Sequence, residues 1–137
     1  MKDNFSQHMD AEQLGSLSSL ALAHVGDAVF ELMVRTWLAS GGKATSGSLH
    51  KDTVQIVNAR SQAELIRLIE PALSEEERGV FRRGRNTHVN SVPRHMSLAD
   101  YHAATGFEAL FGWLWLKGDK ARLNELFEMI TDKLLEA

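Results

Sequence analysis

Three acidic side chains lie in segments that are otherwise almost wholly apolar. Asp27 and Glu31 fall within LALAHVGDAVFELMVRTWL, residues 20–38, and Glu108 falls within FEALFGWLWL, residues 107–116. An unpaired carboxylate in apolar surroundings is costly, so each acid needs a cation or strong hydrogen-bond donors. Two such segments in one small domain suggest one shared cation. If that cation is a metal, oxygen ligands favour Mg²⁺, for which Mn²⁺ can substitute.

The acids of the first segment form a narrow ionisable stripe when the segment is placed on a helix. At about 100° per residue, Glu31, His24 and Arg35 lie within about 80° of Asp27. A glycine inside a helix costs roughly 1 kcal/mol against alanine, so Gly26 indicates close approach of another backbone or of a ligand. The alternative interpretation is structural, with both acids simply paired to Arg35 and His24.

Glu108 repeats this pattern in the second segment. It is the one carboxylate between residues 101 and 116, and Thr105 shares its helical face. Gly106 and Gly112 flank it and would allow tight contact between helices. A single buried carboxylate satisfied by an arginine is the alternative here, and the residues alone leave both interpretations open.

A basic segment, residues 80–99, contains four arginines, two histidines and no acid, although the net charge of the chain is -3. Arginine forks bind phosphate oxygens in pairs. Few aromatic residues are interleaved, which favours contacts to a duplex backbone over stacking on single-stranded bases. The alternative is a solvated face that compensates a helix dipole. The candidate phosphate ligands are Arg82, Arg83, Arg85, Asn86 and Arg94.

The composition limits the class of protein. A chain of 137 residues with 44% hydrophobic residues suits one domain with its own core. The absence of cysteine excludes a disulfide framework, a zinc–thiolate site and a thiol nucleophile. The N-terminus lacks the apolar stretch of a signal peptide, and no uncharged apolar run approaches the ~20 residues of a membrane span. We therefore expect a cytoplasmic protein without membrane association.

Helical periodicity and capping residues predict an all-α fold in a single compact domain. Residues 86–95, NTHVNSVPRH, have no period and are expected to form a loop. The predicted helices are a short one capped by Asp10 and Gln13, a long one over Ser18–Ala39 ended by Gly41 and Gly42, one or two before Pro71, one from Ser74 to near Gly84, one capped by Ser97 and ended by Gly118, and a final amphipathic helix.

Four segments in order resemble the ribonuclease III family. HVGDAVFELMVR resembles its signature and FEALFGWLWLKG its second catalytic helix, while LHKDTVQIVNARSQAEL and RRGRN are closer to the short Mini-ribonuclease III subfamily. The resemblance implies a homodimeric endoribonuclease that cuts both strands of double-stranded RNA with Mg²⁺, in maturation of the 23S ribosomal RNA precursor. It also implies that residues 1–137 form one catalytic domain, with residues 1–16 as an N-terminal extension and no double-stranded-RNA-binding domain.

The resemblance assigns roles to individual residues. Asp27 matches the signature aspartate and Glu108 the glutamate of the second helix, so both are expected to be catalytic and to bind metal, with Glu31 as a third candidate ligand. Thr105 and His24 are expected to support these ligands. Lys51 joins the arginines as an expected RNA contact.

The sequence departs from ribonuclease III proper at three positions. Leu20 and Ala23 stand where that family has glutamates, and Thr105 stands where it has an aspartate. The Mini-ribonuclease III subfamily is similar to this chain in having a small hydroxyl residue at the last position. Fewer carboxylates leave the number of metal ions per site open.

The long predicted helix over Ser18–Ala39 has more apolar circumference than one core face requires. We therefore expect Phe30, Met33 or Trp37 to face a partner subunit, with ordinary core positions as the alternative. Two other functions are alternatives: an inactive ribonuclease-III-like module that only binds RNA, and an all-α nucleotide pyrophosphohydrolase. Thr105 weakly favours the first of these, and the lack of a dense E-x-x-E pattern in the core helices argues against the second.

Overall fold

The computed structural model describes residues 1–41 and 46–136, and these residues form α-helices without any strand. The all-α prediction is therefore confirmed. None of the described helices is both long enough and apolar enough to cross a membrane. The helices are α1 (Ala11–Gly15), α2 (Ser19–Ser40), α3 (Ser46–Val57), α4 (Ala59–Ile69), α5 (Glu75–Arg85), α6 (Leu98–Lys117) and α7 (Lys120–Leu135), with a 3₁₀ turn over Glu70–Ala72 between α4 and α5.

The predicted helix starts are found where the capping residues placed them. Asp10 and Ser74 each begin a helix with a complete capping box, and Ser18 and Ser97 cap the two long helices. Gly118 ends α6 in the left-handed conformation, with φ of 87°. The end of α2 differs in detail, because Gly41 caps it in a right-handed conformation, and Gly42 lies outside the described residues.

The helix α6 lies at the centre of the domain and packs against α2, α4, α5 and α7. It is apolar on nearly its whole circumference, as a helix surrounded by others must be. Three phenylalanines join it to α2: the ring of Phe30 stands edge-on to those of Phe107 and Phe111, with centroids 4.8 and 5.3 Å away. All three side chains are 0% exposed.

Glycine contacts at two helix crossings set how closely α2 and α5 approach α6. A Cβ built on Gly26 of α2 would overlap the main-chain carbonyl of Glu108, and one on Gly112 would overlap that of Leu22. Gly84 of α5 meets α6 in the same way, because its Cβ would lie 2.8 Å from the Cα of Gly106. The close approach that the sequence indicated at Gly26 is therefore a contact between two helix backbones.

A buried ion pair that the sequence did not reveal holds α7 to the start of α5. Nε of Arg122 lies 2.9 Å from Oε2 of Glu77, whose side chain is almost completely buried. Arg122 also donates a 2.7 Å hydrogen bond to the carbonyl of Ala72. Burial by itself would raise the pKa of Glu77, but the hydrogen bonds from Arg122 and Ser74 outweigh it and lower the pKa.

Candidate active site

Asp27 and Glu108 are brought together by the crossing of α2 and α6. Asp27 follows Gly26 directly, and Gly26 touches the backbone of Glu108. The Glu108 carboxyl group faces the Asp27 carboxylate and, when protonated, donates a hydrogen bond to it. Asp27 is exposed, whereas Glu108 is only partly exposed. The acid expected to be buried in α2 thus lies at the surface, because the ionisable stripe of that helix faces outward beside the crossing.

The charge of Glu108 is strongly disfavoured in this position. Burial raises its pKa most, and the neighbouring negative charge of Asp27 raises it further, to about 8 against an ordinary value of 4.5. A perturbed carboxyl beside a second carboxylate at an open surface is typical of sites that bind a cation or move protons. A divalent cation between the two groups would favour the ionised form of both.

Gln62 is a third member of the site that the sequence interpretation missed. It comes from α4, its side chain is 2% exposed, and its amide lies close enough to lower the pKa of Glu108. The helical spacing of the sequence could have revealed it, because Gln62 occupies the same face of α4 as Leu65, Ile66 and Ile69, all of which are buried. A glutamine that shares a helical face with three apolar residues is predicted to lie in the core.

The other residues assigned to the site have contacts of their own. Glu31 forms an ion pair of 3.3 Å with Arg35 one turn further along α2. This pair is the one that the structural interpretation of the sequence predicted for Glu31. Thr105 is buried and donates a 3.0 Å hydrogen bond to the carbonyl of Tyr101. His24 lines an apolar groove between α2, the N-terminal segment and the start of α7. Within the described residues, no group of three or more histidine, aspartate or glutamate side chains is arranged to hold a metal.

The arginines of α5 line two separate clefts. Arg82 and Arg85 line a polar cleft of about 500 Å³ together with Glu70, Glu75 and Arg78. The sequence interpretation left Arg78 out because it lies before residue 80. These three arginines follow i, i+4, i+7 spacing and so share a face. Arg83 instead lines a separate cleft with Glu76 and Lys117.

The remaining expected RNA contacts lie at the surface. Asn86 ends α5 and accepts a hydrogen bond of 3.4 Å from Nε of Arg85, whose guanidinium also lies over the ring of Phe81. Arg94 is exposed in the segment between α5 and α6, and Lys51 is exposed on α3. All of these side chains are accessible to a large anionic ligand, but among the expected RNA contacts only the arginines of α5 line the two clefts described above.

The three expected interface residues differ in accessibility. Phe30 is 0% exposed within the core of the subunit and offers no surface to a partner. Its assignment is corrected for a physical reason: the apolar circumference of α2 is largely used by α6. Met33 and Trp37 are partly exposed, and Met33 lines the apolar groove of about 490 Å³ between α2, the N-terminal segment and α7. Leu32, 48% exposed, lines the same groove.

Comparison with known proteins shows the family to which the chain belongs. The family model of the ribonuclease III domain matches residues 20–119, a range that includes both Asp27 and Glu108. A Mini-ribonuclease 3 of Thermoanaerobacter sp. (strain X514) is 45% identical over 121 residues, which cover 88% of this chain and 85% of the relative. This chain belongs to the Mini-ribonuclease III family.

Other relatives support the same assignment. The Mini-ribonuclease 3 of Gloeobacter violaceus is 45% identical over 124 residues, 90% of each chain, and that of Clostridium tetani is 42% identical over 122 residues, 88% of this chain and 81% of the relative. The X-ray structure of a Fusobacterium nucleatum protein matches with a TM-score of 0.79 and 26% identity, covering 86% of this chain and 94% of the other. The resemblance to the Mini-ribonuclease III family is thereby confirmed, and with it the ribonuclease III fold.

Proposed function

We propose that this chain is an endoribonuclease that cleaves both strands of double-stranded RNA and depends on Mg²⁺. The observation that carries the proposal is the juxtaposition of Asp27 and Glu108 across the α2–α6 crossing, inside the segment that matches the ribonuclease III domain. An RNA-binding module without activity would have no need of two facing carboxylates. Membership of a ribonuclease family argues against a nucleotide pyrophosphohydrolase.

The two carboxylates fit Mg²⁺ by their chemistry. Both are oxygen donors, and Glu108, whose pKa is raised to about 8, is mostly protonated at neutral pH unless a positive charge compensates Asp27 and the effect of burial. When bound, the ion lowers the pKa of an attacking water and neutralises charge that develops on the phosphate. The RNA 3′-oxygen is the leaving group, so the products carry 5′-phosphates. Exposed Asp27 is the acid that the scissile phosphate can approach.

The arginine face of α5 is proposed to hold the RNA backbone. Arg78, Arg82 and Arg85 present three guanidinium groups to one cleft, and the contact of Gly84 with Gly106 fixes this helix against α6 two residues from Glu108. Phosphate contacts of this kind position a duplex without reading its sequence. Lys51, Arg83, Asn86 and Arg94 are proposed to extend this surface.

The proposed active form is a homodimer whose subunits meet at the apolar groove between α2, the N-terminal segment and α7. This groove has exposed Leu32 and Phe5, 48% and 63% accessible, and Met33 and Trp115 in its walls. Exposed apolar side chains that line one continuous groove are typical of an interface. A dimer also supplies two sites related by a two-fold axis, which matches the pseudo-symmetry of the duplex and allows both strands to be cut.

Substitutions at the groove test this dimer. Leu32→Glu places a charge on the interface and is expected to give a monomer in sedimentation experiments at micromolar concentration. Val54→Glu is the matched control, because Val54 is also 48% exposed but lies on α3. A Leu32→Glu protein that sediments like the wild type as a dimer would refute this interface.

The proposed substrate is a stem of the 23S ribosomal RNA precursor, which places the enzyme in the cytoplasm. The whole chain is proposed to act as one catalytic domain. The experiment compares a long RNA duplex, the same strand unpaired, and nucleoside triphosphates, each with and without Mg²⁺. Cleavage of the duplex alone, to products with 5′-phosphates, is the expected result. Hydrolysis of the triphosphates, or binding of the duplex without cleavage, would select one of the rejected functions.

A further inference from the structure

Gln62 is a buried glutamine whose amide nitrogen has no hydrogen-bond partner of good geometry in the part of the chain that the structure describes. Its side chain is 2% exposed. An unsatisfied buried donor costs about 1–3 kcal/mol, so stability alone would favour an apolar side chain at this position. A polar group kept at such a cost calls for a functional explanation.

The side chain of Gln62 lies beside Glu108 and comes from a third helix. Helix α4 packs its buried face against α6, and the amide is close enough to Glu108 to favour the ionised carboxylate. The direction of this effect is opposite to that of burial and of Asp27. Gln62 is therefore a neutral donor beside Glu108, ready to bond the carboxylate once that group is ionised.

We propose that Gln62 is a positioning residue, whose amide nitrogen donates a hydrogen bond to one oxygen of Glu108 and so directs the other oxygen toward the metal ion. The inference rests on the proposed Mg²⁺-dependent function. Carboxylates that bind metals are themselves held by hydrogen bonds, and loss of such a partner typically costs 10–100-fold in metal affinity or activity. Asp27 cannot fill this role toward an ionised Glu108, because a carboxylate only accepts.

The neutral charge of the amide suits this role better than a basic side chain would. An arginine or lysine beside Glu108 would also donate, but its positive charge would compensate the carboxylate and compete with the metal ion for it. A glutamine supplies the hydrogen bond and leaves the negative charge of the site to the cation. Because Gln62 does not titrate, its contribution is one of direction, not of charge.

The substitution Gln62→Met tests the proposal, because methionine has nearly the same length and volume and no donor. Mg²⁺ binding is measured by calorimetry on the RNA-free protein, beside thermal melting and single-turnover cleavage. We expect Mg²⁺ affinity to fall about 10–100-fold, with melting retained and with cleavage partly restored by raised Mg²⁺. The control is Thr53→Val, which removes another buried polar group, a hydroxyl bonded to the carbonyl of Leu49 at 2.7 Å.

A folded Gln62→Met protein with unchanged Mg²⁺ affinity would overturn the inference and leave the proposed function standing. A wild-type protein that binds no Mg²⁺ would instead count against the proposed function itself. If Gln62→Met does not fold, the wild type decides the matter by nuclear magnetic resonance. The side-chain amide signal of Gln62 is expected to move as Mg²⁺ saturates the site, and a signal that stays in place would overturn the assignment.

Discussion

Gly26 lies against the main-chain carbonyl of Glu108, so closely that a Cβ on Gly26 would overlap it. Because Asp27 is the next residue of α2, this contact between backbones is what sets one carboxylate beside the other. Gly112, one turn beyond Glu108, makes the same kind of contact with Leu22. The proposed site is thus built on two positions that have no side chain.

Gly26→Ala is expected to destabilise the protein although alanine is the better helix former. The added methyl group must push α2 away from α6, and such overpacking costs about 1–3 kcal/mol or more. The shift should also separate Asp27 from Glu108 and reduce cleavage. Gly47→Ala on α3 is the control, because nothing lies within 4 Å of a Cβ there. Urea unfolding of both variants measures the difference, and equal stabilities would contradict the close contact.

Arg122→Met is expected to lower the free energy of unfolding by about 3 kcal/mol, because it leaves buried Glu77 without its partner. The lowered pKa of Glu77 adds a dependence on pH. Stability from this pair is present above the ordinary pKa of a glutamate and is lost as pH falls through the lower pKa of the folded state. Arg60→Met, which breaks an exposed pair with Glu64, should change stability by less than about 0.5 kcal/mol. Equal losses of stability in both variants would show that the buried Arg122–Glu77 pair contributes no more than an exposed pair.

The metal-free protein is expected to lose stability as pH rises toward 8. Between the ordinary pKa of 4.5 and the raised pKa of about 8, folded Glu108 keeps a proton that the unfolded chain has released. The free energy of unfolding therefore decreases with pH, by at most about 1.4 kcal/mol per pH unit for one proton. Mg²⁺ affinity should rise over the same range, because the metal must displace that proton.

The variant Glu108→Gln removes this titration. Its unfolding free energy, measured with urea in the presence of a chelator from about pH 5 to about pH 9, should depend on pH less than that of the wild type. Parallel curves for the two proteins would show that Glu108 titrates normally.

Arg82→Ala or Arg85→Ala is expected to weaken duplex RNA binding and to reduce the salt dependence of the affinity by about one counterion each. Arg78→Ala should behave in the same way, although Arg78 precedes the basic segment, residues 80–99. Arg60→Ala, an exposed arginine on α4, is the control. Single-turnover rates at saturating RNA should stay unchanged. A collapse of those rates would give the arginines a part in the chemical step.

The helices and the two facing acids could be predicted from the sequence because both leave local signals. Capping residues mark the helix starts, and Asp27 and Glu108 are conspicuous in apolar segments beside glycines. Gln62 was missed because one glutamine in an amphipathic helix attracts no notice until its position on the buried face is checked. Phe30 was assigned to the wrong surface because hydrophobicity shows that a face is covered but not which helix covers it. The pair of Arg122 with Glu77 joins residues far apart in the chain, and no local pattern predicts it.

The central claim is that Asp27 and Glu108 together hold the metal ion that cleavage of double-stranded RNA requires. Its most direct test is single-turnover cleavage of a long duplex by Asp27→Asn and Glu108→Gln, with calorimetric Mg²⁺ binding and thermal melting of the same samples. We expect each variant to melt at or above the wild-type temperature in the absence of metal, to lose Mg²⁺ binding and to lose cleavage. Glu31→Gln, which alters an acid paired with Arg35, should retain both. Wild-type cleavage by either Asp27→Asn or Glu108→Gln would contradict the claim.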